Sequence, residues 1–538
     1  MFEISRRNLI SSSAIGLGAL AMPFGGSALA DDRTKMMRYV TPGAVNSLDP
    51  VAFTATTEST AMSAAVYDRL FRFGKKPNGE TFTYDFNDVQ GELAEKYEIS
   101  DNGRTLTIYV RPNAMWHDGT PVTAADVKWS LERAVTAETM SKAQMSTGSL
   151  TKDATIEAVD DKIVKVTLAK GDRLAIPNLT TLYSPMFNST LVKKHTTEAD
   201  PWGLEWLKTN TAAGGAYTVE RFVSGEQVVL KRNDKWTNGP LPFMERVILQ
   251  TVPAAATRRS LVERGDADIT IQLQTADVVA LENSKNVRVA SMPMPTAFVA
   301  LSFNTRMAPF DNPLVRQAIA AATPYEDLLS TAALGRGVKL FGGDWSGSPP
   351  SEKFPQPMPE KTNIELAKQK LAEAGFKDGF ETTLSYGAYR AEWADIAAPL
   401  IQEALGKIGI KVKIQKLADA QFTEAVTNKT MPMMLERSLA YFPVADYFFR
   451  VFLSGEQRWN FSSWKNARVD ELLAIAKYEV DPVKYGTIAK ELISLFNEEK
   501  PMLMLWGPNL DVAMVPSLSG FTIWPSYYLD SRDPVRKS

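Results

Sequence analysis

The stretch "GELAEKYEISDNGRTLTIYVRPNAMWHDGTPVTAADVKWSLERAV", residues 91–135, changes its grammar halfway. In Thr105–Val110 the residues Leu106, Ile108 and Val110 alternate with polar neighbours, the period of a half-buried strand. After the turn-rich "HDGTP", Thr123 is followed three residues later by Asp126, a capping box with Asp in place of Glu. This predicts a helix opening at Thr123. Alternation returns at 163–168 through Val164, Val166 and Leu168. Strand, helix and strand here make one small layered unit.

Further along, strand and helix take turns. Asn312-Pro313 places a cap residue before Pro at the first helical position and predicts a helix through Ile319. Thr362 and Glu365 read as a second capping box, with Ile364, Ala367, Leu371 and Ala374 at helical spacing and Gly375 as the stop. "ETTLSYG" (381–387) predicts a strand. A helix with Trp393, Ile396, Leu400, Ile401, Ala404 and Leu405 on one face follows, then the strand "IKVKI" (410–414). Strand-helix-strand is the mark of an α/β body with some parallel sheet. The Pro-rich stretch 347–359 reads as an extended, solvated connector.

The chain has 538 residues, 44% hydrophobic and 23% charged, with no cysteine and two histidines. Thiolate metal sites, iron–sulfur centres and thiol catalysis are excluded. His117 and His195 stand far apart, neither with a ligand at i+4, and His117 in its turn reads as a hydrogen-bonding structural residue. No GxGxxG or GxxxxGK[ST] cradle occurs, and "AAGGAY" (212–217) reads as a turn. No cofactor and no metal are expected. No basic surplus points to nucleic acid: the net charge is −2. The start, "MFEISRRNLISSSAIGLGALAMPFGGSALADD", has Arg6-Arg7, a diluted apolar run, and Ala28 and Ala30 at small-x-small spacing. It reads as a leader over 1–30, of the twin-arginine type or an ordinary secretory signal with a chance Arg-Arg, cut before Asp31. No other apolar run of membrane length occurs, so a free periplasmic monomer without membrane insertion is expected.

Several blocks, in order, resemble the extracytoplasmic solute-binding proteins of the oligopeptide/dipeptide/nickel class: "VNSLDP" (45–50), "VYDRLFRF" (66–73), residues 91–135, "YTVERFVSGEQVVLKRNDKW" (217–236), "RRSLVERGDADI" (258–269) and "LSFNTRMAPFDNPLVRQAIAAAT" (301–323). One departure is Ala212–Tyr217, where the family usually shows Gly-Thr-Gly-Pro-Tyr. The resemblance implies a mixed α/β (α+β) fold of two lobes joined by a hinge, with an extra small domain in the first lobe. The implied divisions are lobe I at 31–76, 206–297 and 501–538, the small domain at 77–205, and lobe II at 298–500. "PMPTAFVALSFNT" (293–305) and "EKPMLMLWGPN" (499–509) would be the crossings. It also implies a binder rather than an enzyme, taking a peptide or peptide-like solute between closing lobes and delivering it to inner-membrane ABC permease subunits.

In peptide-binding relatives an aspartate after Gly-Trp meets the peptide ammonium. Aligned on Asp446, the equivalent position in "LERSLAYFPVADYFFRVF" (435–452) holds Tyr441, and the resemblance implies that both Tyr441 and Asp446 lie at the solute. Glu436 is the nearest substitute, and Arg437, adjacent on a strand, would point the other way. For this pair a core salt bridge and a solvated charge are the plain alternative. In "SYGAYRAEW" (385–393), Arg390 suits a carboxylate, Tyr386 and Tyr389 suit a cleft wall, and Trp393 suits either wall or core. Phe53 would supply the opposite wall. The missing ammonium aspartate keeps an opine, a modified amino acid or a glycoside open as the solute. An exported hydrolase is the competing class, but among 62 acidic residues no motif selects a catalytic pair.

Overall fold

The computed structural model describes residues 33–78, 81–456, 458–524 and 528–536. The expected leader, with Arg6 and Arg7, lies outside them. Among the described residues no helix is long and apolar enough to cross a membrane.

One long sheet organises the molecule. Its strand order is Lys411–Leu417, Glu381–Gly387, Met433–Leu439, Ala297–Phe303, Met502–Met514, Ile269–Ile271, Met36–Thr41, Arg246–Thr251, Gln227–Arg232 and Tyr217–Val223. Two short strands, Arg288–Pro293 and Gly337–Lys339, also pair with Met502–Met514. The 13-residue strand Met502–Met514 joins the two halves. Its first part pairs with Ala297–Phe303, and its last part with Ile269–Ile271 and Arg288–Pro293. Between these parts sits Gly507, where a Cβ would approach Val338 to 2.7 Å. The ladder also shifts register there, between Val299 and Ala300.

The parallel pairing expected for an α/β body is present. Glu381–Gly387 runs parallel to Lys411–Leu417 and returns through the helix Ala391–Gly406. That helix buries Trp393, Ile401, Ala404 and Leu405, whereas Ile396, read as part of the inner face, is 39% exposed. A 3.6-residue stripe is narrower than the run of apolar residues here, and Ile396 falls at its edge.

The opening stretch folds as its pattern dictates. Thr105–Val110 sits between Ala94–Ser100 and Ile163–Thr167 in a four-stranded antiparallel sheet, with Leu106, Ile108 and Val110 buried. The helix Ala124–Thr136 carries the reciprocal Thr123–Asp126 capping box. It packs Val127 and Leu131 into the same core.

Two readings are corrected. The cap of the helix Ile364–Glu373 is Asn363, whose side chain accepts from Leu366 N; the Thr362 hydroxyl instead donates to the Thr323 carbonyl at 2.6 Å. Asn competes well for the cap position, and the one-residue shift places Glu365 in the first turn. The Pro-rich stretch 347–359 is no solvated connector. Phe354 and Met358 are buried, and Phe354 meets Phe448, Phe449 and Phe496 edge-on. The area of these rings outweighs the polar company they keep.

Candidate functional site: a cleft between two half-sheets

Against the Gly507 region lies a cavity of about 640 Å³. One wall comes from the half-sheet holding Met36–Thr41, with Tyr39, Glu58 and Gln272; the other from the half holding Glu381–Gly387, with Tyr389, Arg390, Trp393 and Arg437. Trp506, Asn509 and Asp511, on the joining strand, form the back. Trp393 meets Trp506 edge-on at 5.6 Å, so it serves core and wall together.

The charge in the cleft is organised from beneath. Glu436 is buried, 5% exposed, on the strand Met433–Leu439. It accepts from Arg390 Nε at 2.7 Å, Tyr389 Oη at 2.6 Å and its neighbour's backbone, Arg437 N, at 2.7 Å. Arg390 also donates from Nη2 to the Arg437 carbonyl at 2.7 Å, and its guanidinium lies 4.5 Å over the Tyr389 ring. Among the described residues Arg390 Nη1 donates to no protein group, so part of the guanidinium fork is left for a solute. Burial, then the Glu436 charge, push the Tyr389 hydroxyl well above the ordinary tyrosine range, so it stays a donor.

Of the residues proposed from sequence, Tyr389, Arg390, Trp393 and Arg437 line this cavity, and Glu436 stands directly behind them. Tyr386, Tyr441, Asp446 and Phe53 are not among its lining residues. Tyr386 is buried in the core with its hydroxyl on Asp395 at 2.6 Å, and burial and that carboxylate push it up to about 12. Phe53 is 63% exposed. Tyr441 shares a 2.8 Å hydroxyl–hydroxyl bond with Tyr183. Asp446 is fully buried and accepts from Arg173 and Tyr485, each at 2.8 Å, and from Arg450.

Sequence reasoning missed Glu58, Arg336, Glu392, Asn509 and Asp511. Arg336 forks onto Asp511 at 2.7 and 3.2 Å and reaches Glu282 at 2.5 Å. Glu392 accepts from Thr275 N and Oγ1 at 2.8 and 2.6 Å, tying the two walls at the rim. Glu392 and Asn509 fall within stretches singled out above. Arg336, between two glycines, carries no local signal. Asn509 Oδ1 is a buried acceptor without a partner, on the cavity wall.

The histidines serve structure. His117 Nε2 lies 2.9 Å from the Gly215 carbonyl, and burial holds its pKa below the ordinary value. His195 stacks on Trp206 at 4.2 Å. Among the described residues no group of three His, Asp or Glu is placed to hold a metal ion.

Comparison with known proteins agrees with this architecture. The model of the bacterial extracellular solute-binding proteins, family 5, matches residues 88–460. The probable D,D-dipeptide-binding periplasmic protein DdpA of Escherichia coli K12 is 26% identical over 486 residues, 89% of this chain and 90% of that one. Among solved structures, AgaA of A. tumefaciens R10 in complex with agropinic acid is 24% identical with a TM-score of 0.73, covering 94% of this chain and 99% of that one. DppA of Helicobacter pylori in complex with the peptide STSA is 21% identical with a TM-score of 0.75, covering 94% and 98%. The fold is that of the two-lobed periplasmic binding proteins.

Proposed function

This chain belongs to the bacterial extracellular solute-binding proteins of family 5, and from that premise we propose that it is the periplasmic binding component of an ABC importer, holding a peptide or peptide-like solute in the cleft. The observation that carries this reading is the two-walled cavity with charges of both signs: Glu58, Glu392 and Asp511 against Arg336, Arg390 and Arg437. A zwitterion fits such a lining. Arg390, held by Glu436, offers its remaining donors to a carboxylate. Glu436 is spent on this task and Asp511 on Arg336, so the solute's ammonium group turns toward Glu58 instead.

Lobe I comprises 31–76, 206–297 and 501–538, the small domain 77–205 and lobe II 298–500. Hinge motion centres where Met294 N meets the Pro508 carbonyl at 3.2 Å. A solute touching both walls stabilises the closed form and shifts the hinge equilibrium, and the closed monomer then docks on its permease. No bond is made or broken. The leader 1–30 directs export, by the twin-arginine route.

An opine-type solute is the second reading within the same role. It is favoured by the orphan Asn509 acceptor on the cavity wall, which suits a hydroxyl, and by the alignment that puts Tyr441 at the sequence position of the peptide-binding aspartate. Native mass spectrometry of protein taken from periplasm tests the role: one small molecule per chain is expected. Turnover of a substrate panel without a stable ligand would instead mark an exported hydrolase. A thermal-shift screen of dipeptides against opines separates the two readings, because a ligand at a hundred times its Kd adds about 2.7 kcal/mol.

A further inference from the structure

A second cavity, of about 710 Å³, lies outside the cleft. It is bounded by the strand Phe71–Asn78, the turn after Gln227–Arg232 and the C-terminal segment. Its lining carries Lys35, Arg72, Lys75, Arg232 and Arg532 against Asp530 and Asp533. Both acids are engaged: Asp533 by Lys75 and by Trp524 Nε1 at 2.8 Å, Asp530 by Arg532 at 2.6 Å. Arg232 pairs with Asp234 and Glu245.

Two cations are left over. Among the described residues the Arg72 side chain has no hydrogen-bond or ion-pair partner, and its Nε is fully buried. Glu92, whose charge couples to it, already holds Arg69 and Arg532. Lys35 has no carboxylate partner among the described residues and lies 4.1 Å over the Phe243 ring. A buried guanidinium donor left unmade is costly, and such groups in native structures call for a missing partner. Trp236, Phe243 and Trp524 give the cavity flat apolar walls.

We infer that this second cavity binds a small organic anion, a carboxylate carried on a flat apolar body, with Arg72 and Lys35 taking the carboxylate and the aromatic walls the body. The inference is independent of what the main cleft holds. The cavity also has a shared wall. Tyr528, Leu529 and Ser531 face the main cleft, while Asp530, Arg532 and Asp533 face the second cavity.

The test uses the full chain carrying 5-fluorotryptophan, with benzoate and inorganic phosphate as probes and 19F NMR as readout, resonances being assigned by single Trp→Phe changes. Benzoate is expected to shift the Trp236 and Trp524 signals saturably, with Trp393 and Trp506 following less or not at all. Arg72→Gln is expected to weaken this at least tenfold, about 1.4 kcal/mol. Lys35→Gln should weaken it too, and serves if Arg72→Gln does not fold. Arg390→Ala should leave it intact. Shifts confined to Trp393 and Trp506, equal binding in the Arg72 and Lys35 variants, phosphate binding as tightly as benzoate, or no shift at tens of millimolar would each overturn the proposal.

Discussion

Two of the molecule's clusters of buried charge are finished differently. In the first, Asp172, which follows the four-stranded antiparallel sheet, and Asp446, on the helix Ala445–Phe452, share Arg173, Arg450, Lys477 and Tyr485. Asp172 also accepts from Ser149 Oγ at 2.8 Å and from Leu174 N at 3.0 Å. Arg173 lies 3.5 Å over the Tyr485 ring. In the second, Glu436 fixes Arg390 from behind and leaves guanidinium donors pointing at an open cavity. The first closes on itself and holds parts together. The second is closed on one side only, which is what a receptor for an outside charge requires. Burial and ion pairing alone do not distinguish them; a donor that faces an open cavity does.

The sharpest way to break this contrast is Asp446→Ala. It removes the buried carboxylate on which Arg173, Arg450 and Tyr485 converge, and a loss of about 3 kcal/mol is expected from urea unfolding, with solute affinity changed far less. Glu436→Gln should do the reverse. Solute affinity by calorimetry is expected to fall at least tenfold, with about 1 kcal/mol lost in stability. If Glu436→Gln and Arg390→Ala both hold affinity within twofold, the carboxylate assignment fails. Glu392→Ala, which cuts the rim tie to Thr275, should cost about 1 kcal/mol of the closed form and appear as a larger radius of gyration in solution scattering without solute.

The smallest effect concerns pH. Asp68 is buried, accepting from Trp236 Nε1 and from Asn238 Nδ2 at 2.6 Å, and burial, then Glu92, push its carboxyl up to about 7. The folded chain therefore keeps a proton that the unfolded chain releases near the ordinary value of 3.8. This group's contribution is complete below that value and is lost as pH rises toward about 7. Asp68→Asn should flatten the fall in Tm across that window.

How much of this was legible in the sequence follows from how local each signal is. The strand period in Thr105–Val110, the Thr123–Asp126 box and the Asn312-Pro313 start are short-range and read correctly. So does the parallel unit around Ala391–Gly406. Arg390 and Trp393, proposed because strand ends gather ligands in such bodies, line the cavity, whereas Glu436, proposed by alignment as a substitute ammonium partner, holds Arg390 from behind. Asp446 was placed near the solute, yet its partner Arg173 lies 273 residues away, and no local pattern announces such a pair. Phe354 was lost to its prolines for the same reason: the rings that bury it come from much later in the chain.

The strand Met502–Met514 has a consequence for the order of assembly. Among the described residues it is the only strand in the hydrogen-bonded path that joins Ala297–Phe303 to Ile269–Ile271, and it follows both in the chain. Until those residues leave the ribosome, Ala297–Phe303 and Ile269–Ile271 each present an unpaired edge, and the cleft has no back wall. The chain is thus kept from finishing early: most of it exists as polypeptide before the contacts that unite it can form. A cut within Met502–Met514 would therefore undo the union of the two half-sheets and the back of the cleft in one step.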